Sequence, residues 1–471
     1  MKRPLRIAAA RVIDAGLFYS LLTVIVLVAI PYGTVEPWWK ALFQSLIFVL
    51  AVFAVIEKSL RGETVSDGQR VAASTAGSRW QRAQFLPLLA LITFALVQTI
   101  SWSNSSVAGT VIPRTLSADA FQTRLFIIHL CALVLVGWLL AQYTSSQKRL
   151  HLLVGLIMAI GVGTAAFGLW RQGSQHAAVG FFLPNLRMGF GYGQFINSNH
   201  FAFLMEMVLG LTLGIVVCRG VKGWRLGLCL LAAIPMFVAL VLANSRGGIL
   251  SILCQVVLLA ACLVSGGGRA EIGATTSASR ARHVVVQVVL IAVLLAGGVV
   301  TVIFVGGDPL AGRIDSISIE LDRKTAETFT LRQNIWQATW QLIKDHPITG
   351  VGFGGYWMAI TKYHRASGES TPQEAHSDYL ELLASGGVIA VAMSVWFIVA
   401  FVRLARSTLR AANPAGRAVV LGAITGLLTV AVHSLVDFGL HITINAVVFT
   451  ALLALVSIIG QRSTKPTVQH E

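Results

Sequence analysis

HFAFLMEMVLGLTLGIVVC, residues 200–218, carries one charged side chain, Glu206, in a run that is otherwise apolar or neutral. A helix needs about 20 predominantly apolar residues to cross a bilayer. A surface helix of a soluble domain would show a polar face at helical spacing, and this run has none. It reads as a transmembrane span. Comparable runs lie on either side of it, near 13–32, 38–57, 84–101, 121–143, 149–170, 225–243, 247–265, 284–305, 386–405, 417–436 and 441–460. Lipid offers no partner to a bare peptide group, so each run is predicted to be helical, giving an all-α polytopic membrane protein of about twelve spans.

Composition agrees. The chain is 55% hydrophobic and 12% charged, where soluble domains carry about 25% charged residues. Its net charge of +16 would suggest nucleic acid in a soluble protein. Here the collection of Lys and Arg in cytoplasmic loops explains it better, and no nucleic-acid partner is expected. With the N-terminus inside, 23 of the 36 Lys and Arg fall on the inner side. Seven of the remaining 13 sit in one long outer loop, 306–385, and long loops translocate largely regardless of charge. Both ends of the chain are therefore expected in the cytoplasm. No cleaved signal peptide is read at MKRPLRIAAAR, because the apolar run after it is of span length. The five cysteines, Cys131, Cys218, Cys229, Cys254 and Cys262, lie in or beside apolar runs and read as packing residues, not disulfides or metal ligands.

Three outer features interrupt the spans. Loop 171–199 is rich in glycine and aromatics. The turn ANSRGG, 243–248, puts Arg246 at the outer boundary. Loop 306–385 is long enough to carry function or a small fold of its own. Within it LRQNIWQATWQLIKDHPITG, 331–350, reads as an amphipathic helix with Leu331, Ile335, Leu342 and Ile343 on one side and Trp336 and Trp340 nearby. Pro347 and Gly350 end it, and such a helix suits a membrane interface. VGFGGY, 351–356, reads as a flexible turn. No internal repeat of the kind built into many transporters is evident.

Several segments resemble the O-antigen ligase and O-antigen polymerase superfamily: FINSNHFA (195–202), NSRGG (244–248), LRQNIWQATWQLIKDHPITGVGFGGY (331–356), HSDYLELLASGGV (376–388) and HSLVDFGLHI (433–442). The resemblance covers most of residues 190–445. It implies a GT-C-like membrane fold, no metal or other cofactor, and a site facing the periplasm from the inner membrane. The implied substrates are an undecaprenyl-diphosphate-linked oligosaccharide donor and a glycan or lipid acceptor, with a flippase and a chain-length regulator as further partners in the bilayer. It divides the chain into N-terminal spans (1–190), a ligase/polymerase-like region (191–460) and a cytoplasmic tail (461–471).

The resemblance also gives roles. Arg246 and Arg332 would hold the diphosphate, for which a planar, permanently charged fork is suited. His376 would take the proton of the acceptor hydroxyl, a task that suits a group titrating near neutrality. Its context, His-Ser-Asp, stands where many relatives have His-Asn. Arg187, His200, Tyr356, Tyr379 and Asp437 are candidate substrate-binding residues, and Tyr363 is a further aromatic.

Plainer readings stand beside these. Arg246 as a headgroup anchor, Arg332 as a solvated helix face and His376 as a helix cap all fit the same residues. Asn197 or Ser198 can cap the sixth span, with Asn199 and His200 at its start. Glu206 is an intramembrane carboxylate, hence a functional candidate, or half of an interhelix pair. His433, Asp437 and His441 have metal-ligand spacing if one helix carries all three, but a break near Asp437 favours a structural role. The Gly-rich runs lack the strand–loop–helix setting of a phosphate loop. The leading function is glycan transfer or polymerisation from the lipid-linked donor. The alternatives are a transporter of a small anion such as bicarbonate, with charges near mid-membrane, and a non-catalytic subunit of an export complex.

Overall fold

In a computed structural model of the chain, residues 3–61, 69–107, 110–174, 191–266, 332–364 and 372–463 are described. Expected span 284–305, residues 306–331, the segment holding Arg187 and the end of the tail lie outside them.

The helices are α1 (Arg3–Ala29), α2 (Pro37–Arg61), α3 (Gln69–Gln98), α4 (Ala120–Tyr143), α5 (Gln147–Ser174), α6 (Ser198–Val217), α7 (Trp224–Leu242), α8 (Arg246–Gly266), α9 (332–345), α10 (Tyr356–Ala359), α11 (Asp378–Ala411), α12 (Pro414–His433) and α13 (Thr443–Ser463). Among the described residues, nine helices are long and apolar enough to cross a membrane. Two shorter apolar helices, Gln84–Gln98 and Arg246–Ala261, fall on two further expected spans. The protein is an all-α polytopic membrane protein, with one small addition that the sequence did not announce. Ser101–Val107 and Thr110–Thr115 form an antiparallel hairpin, β1–β2, after α3.

Contacts sort the helix termini into two ends. At one end Arg149 meets Asp14 at 2.6 Å, Arg61 meets Asp14 at 3.2 Å, and Arg462 donates to Gln147 at 2.9 Å. This terminal end holds the start of α1 and the close of α13. At the opposite, loop end, Thr443 donates to the Thr34 carbonyl, Gln194 to that of Ala29 and Gln98 to that of Thr349. Among the described residues, the two ends of the chain thus lie at the same end of the bundle.

α6 is the axis of the bundle. All its residues from His200 to Val217 except Leu213 are buried. Its closest neighbour is α12, and glycines make that approach possible. A Cβ on Gly214 would stand 2.2 Å from Gly422 Cα, and one on Gly210 2.6 Å from Gly426 Cα. Lipid supplies no hydrophobic drive between helices, so backbone-to-backbone packing of small residues takes its place.

The described parts of the long loop, 332–364 and 372–385, fold into a cap at the loop end. α9 buries Ile335, Ala338, Leu342 and Ile343 and leaves Trp340 half exposed, as its amphipathic pattern predicts. The segment VGFGGY is not a flexible turn. Gly352 and Gly354 take positive φ and pack on Ser117 and Gln122, so close that a Cβ at Gly352 would stand 2.2 Å from Ser117 Oγ. The turn then clips into α11, which breaks at Gly387 (φ 60°, ψ −163°). Val351 and Gly352 N–H groups donate to the Ala384 and Ser385 carbonyls, while Val388 N–H donates to the Pro347 carbonyl at 2.9 Å. The peptide groups freed by the break are thus satisfied by protein, as they must be near a membrane.

Candidate active site at the loop end

α12 ends at His433, and the chain turns before a 3-10 helix over Gly439–His441. The break expected near Asp437 is there. It separates the three residues with metal-ligand spacing: His433 turns to Glu206, Asp437 to Arg332 and His441 to Glu374.

Asp437, 1% exposed, is the centre of the site. Its Oδ2 accepts from Arg332 Nη2 at 3.3 Å and from Asn199 Nδ2. Its Oδ1 accepts from Phe438 N–H at 2.9 Å and faces His376 Nδ1 at 3.9 Å. That last gap exceeds hydrogen-bond range. Burial pushes the Asp437 carboxyl up, but the His376 ring, His200 and Arg332 outweigh it and hold the group at about 2. It is a fixed anion beside the Arg332 cation.

Each partner arrives on a different element. Arg332 is the first described residue of α9. Asn199 sits in the first turn of α6, where Asn197, one of the two expected caps, accepts from Asn199 N–H at 2.9 Å. His376 lies on the strap before α11 with φ 51°, a left-handed conformation costly for a residue with a Cβ and characteristic of functional sites. The strap is staked on the α12–α13 turn: Asp378 N–H donates to the Ser434 and Asp437 carbonyls, and Ser434 Oγ donates to Asp378 at 2.6 Å. The Phe438 ring is met edge-on by His200, His376 and His441, at centroid distances of 4.8, 5.0 and 5.8 Å. His200 is buried, and its Nε2 has no hydrogen-bond partner among the described residues.

Beside this centre is a second cluster that the sequence reading missed. His441 Nδ1 lies 3.2 Å from Glu374, and its Nε2 lies 3.5 Å from Glu381 and 3.8 Å from Asp378. Burial would lower the His441 pKa, but Glu381, Glu374 and Asp378 raise it well above the ordinary value. Burial would raise Glu374, yet His441, with help from Glu381 and Lys40, brings it to about 2. Glu374, Glu381 and His441 offer three ligand atoms within 4.8 Å of one another. The His441 imidazolium supplies one positive charge to this acidic cluster. One local signal existed: Asp378 and Glu381 are one turn apart in HSDYLE.

The other candidates divide. Arg246 opens α8 at the same end with its side chain exposed, and Gly247 beside it packs on His433, four residues before Asp437. Tyr379 is half exposed, its hydroxyl donating to the Ala431 carbonyl at 2.8 Å. Tyr363 donates to Asp345 at 2.6 Å. Tyr356 is a correction. Its side chain is 1% exposed and its hydroxyl pairs with Thr339 at 2.7 Å, so it is the core of the cap and shows no ring face to a sugar. Arg187 is outside the described residues. Glu206, the intramembrane carboxylate, is paired with His433, and Asp14, at the terminal end, is paired with Arg149 and Arg61.

Residues 231–395 match the family model described as O-antigen ligase. No curated protein matches the chain. The matched region holds Arg246, Arg332 and His376, whereas His200 and Asp437 flank it. Over residues 231–395 the chain is therefore similar to the O-antigen ligase family, a likeness that supports a ligase- or polymerase-type role in surface-polysaccharide assembly.

Proposed function

We propose that this protein transfers or polymerises glycan from an undecaprenyl-diphosphate-linked donor at its loop end, with that end facing the periplasm and both termini in the cytoplasm. One observation carries the reading: Arg332, His376 and Asn199, from three separate segments, converge on the buried carboxylate of Asp437. Among the described residues Arg332 is held by one nitrogen, and the rest of its guanidinium fork suits phosphate oxygens. With Asp437 behind Nδ1, His376 presents Nε2 to an incoming hydroxyl.

In the step, the acceptor oxygen attacks the anomeric carbon of the donor glycan and its proton passes to His376 Nε2. The bond from the anomeric carbon to the diphosphate oxygen breaks, and undecaprenyl diphosphate leaves with the electron pair. Arg246 and Arg332 stabilise the charge that builds on it. The enrichment of Lys and Arg at the terminal end supports the orientation. The pairing of Glu206 and Asp14 disfavours an anion path, which would need charges open to the permeating ion.

The test is transfer by the purified protein in nanodiscs from an undecaprenyl-diphosphate oligosaccharide. Longer lipid-linked chains identify a polymerase, and glycan on lipid A core identifies a ligase. His376→Ala should lower turnover by about 100-fold or more, the usual worth of a general base, and EDTA should leave the rate unchanged. Folded parent protein that transfers nothing to either acceptor overturns the reading.

A further inference from the structure

Glu206 and His433 meet in the buried interior of the helix bundle, and no step above uses them. His433 Nδ1 lies 3.2 and 3.3 Å from the two carboxylate oxygens, and the side chains are 1% and 0% exposed. Such a couple is costly to bury, and two apolar side chains of equal volume would fill the space at less expense. Its surroundings show what it holds in place.

Phe203 stacks on the face of the His433 ring, with centroids 4.0 Å apart and planes at 19°. The Nε2–Cδ2 edge of the ring receives the first turn of α8. A Cβ on Gly247 would stand 2.2 Å from Nε2 and 2.3 Å from Cδ2, and one on Gly248 2.9 Å from Ala202 Cβ. Further along the same face of α8, Ser251 Oγ donates to the Thr429 carbonyl at 3.2 Å and Gln255 Nε2 to the Glu206 carbonyl at 3.1 Å. On the other side, Asp437 N–H donates to the His433 carbonyl at 3.2 Å. One imidazole thus stands between the turn that begins with Arg246 and the turn that ends on Asp437.

We propose that Glu206 and His433 are a positioning couple. The carboxylate fixes the rotamer and tautomer of the imidazole, the imidazole seats the first turn of α8, and Arg246 is thereby set at the donor diphosphate. The inference rests on the reading of Arg246 as a diphosphate ligand. It assigns to Glu206 a role that acts through Arg246, not on the reacting atoms.

The experiment measures the affinity of the purified protein in nanodiscs for undecaprenyl diphosphate. The variants are Arg246→Ala, Glu206→Gln, the two combined, and Glu206→Leu with His433→Phe, which fills the volume without the couple. Glu206→Gln should bind about tenfold more weakly, or about 1.4 kcal/mol, while staying monodisperse. It should add nothing in the Arg246→Ala background, because coupled residues are not additive. The apolar double variant should stay weak. If Glu206→Gln does not fold, Glu206→Asp, which keeps the charge but withdraws it by one methylene, carries the same expectation. Parental binding by Glu206→Gln beside a weak Arg246→Ala overturns the couple alone, as do additive losses. Parental binding by the apolar double variant shows that only packing is needed and also overturns it. Parental binding by Arg246→Ala removes the diphosphate reading of that residue, and the couple falls with it.

Discussion

Arg332 Nη2 lies 3.3 Å from Asp437 Oδ2 across 105 residues of sequence. The contact ties the first turn of α9, part of the extramembrane cap, to the turn between two spans. It makes Asp437 as much a fastening of the cap as a member of the site.

Asp437→Asn should therefore cost both stability and turnover. Removing one partner of a buried pair costs about 3–5 kcal/mol, and the lower end applies because the Arg332 side chain is 27% exposed. The Asp437 carboxyl is held at about 2 against an ordinary 3.8. Its stabilising contribution is thus complete above the unfolded value and is lost only as pH falls toward 2. Unfolding of parent and variant in detergent should differ by a constant amount from pH 5 to 8, and the gap should narrow below about pH 4. A gap that closes on the alkaline side instead would rule out this account.

His441 titrates in the opposite sense. Its pKa is raised by Glu381, Glu374 and Asp378, so its contribution is present below the unfolded value near 6.5 and is lost as pH rises through the higher folded value. The His376 strap, which Glu374 and Asp378 flank, should stay fastened at neutral pH and loosen in alkali. His441→Gln should melt lower than the parent at pH 6, and the two curves should converge as the medium is made alkaline. Equal melting at pH 6 would show that the cluster does not hold the strap.

Much of this architecture was legible because bilayer spans obey a local rule. The run 121–143 became Ala120–Tyr143, and Asn197 caps α6 as its residue type and position suggest. The amphipathic pattern of α9 and the break near Asp437 were local too. What was missed depends on the far side of a contact. Glu374 and Glu381 look like solvated loop charges until His441 is placed between them. VGFGGY looks loose until Ser117 and Gln122 are seen against its glycines. Tyr356 looks interfacial until Thr339 takes its hydroxyl. The hairpin had no apolar alternation in SWSNSSV to announce it.

The glycine seam between α6 and α12 gives a stability test. Gly214→Ala would place a methyl group 2.2 Å from Gly422 Cα, where only backbone can yield, and overpacking of this kind costs about 1–3 kcal/mol. Gly163 on α5 has nothing within 4 Å of a built Cβ, so Gly163→Ala should melt close to the parent. Because α6 carries Asn199 and α12 leads to Asp437, Gly214→Ala should also depress turnover. Equal melting of the two variants would mean that the helices separate without penalty.

Gly387 gives the sharpest separation of geometry from packing. Its φ of 60° with ψ of −163° belongs to a region open essentially to glycine alone, worth about 1–3 kcal/mol of strain for another residue. A Cβ there would also stand 2.2 Å from the Ile348 carbonyl oxygen, which accepts from Ile389 N–H at 3.4 Å. Gly387→Ala should push the 346–350 turn off α11 while leaving the spans intact. The cap holds Arg332 and abuts His376, so turnover should fall by about tenfold or more, the price of a small misplacement in a positioned site. Limited proteolysis should cut the cap faster, with no change in the protection of α6 or α13. Full turnover with an uncut cap would show that α11 tolerates a straight path at this position and that the break does not set the site.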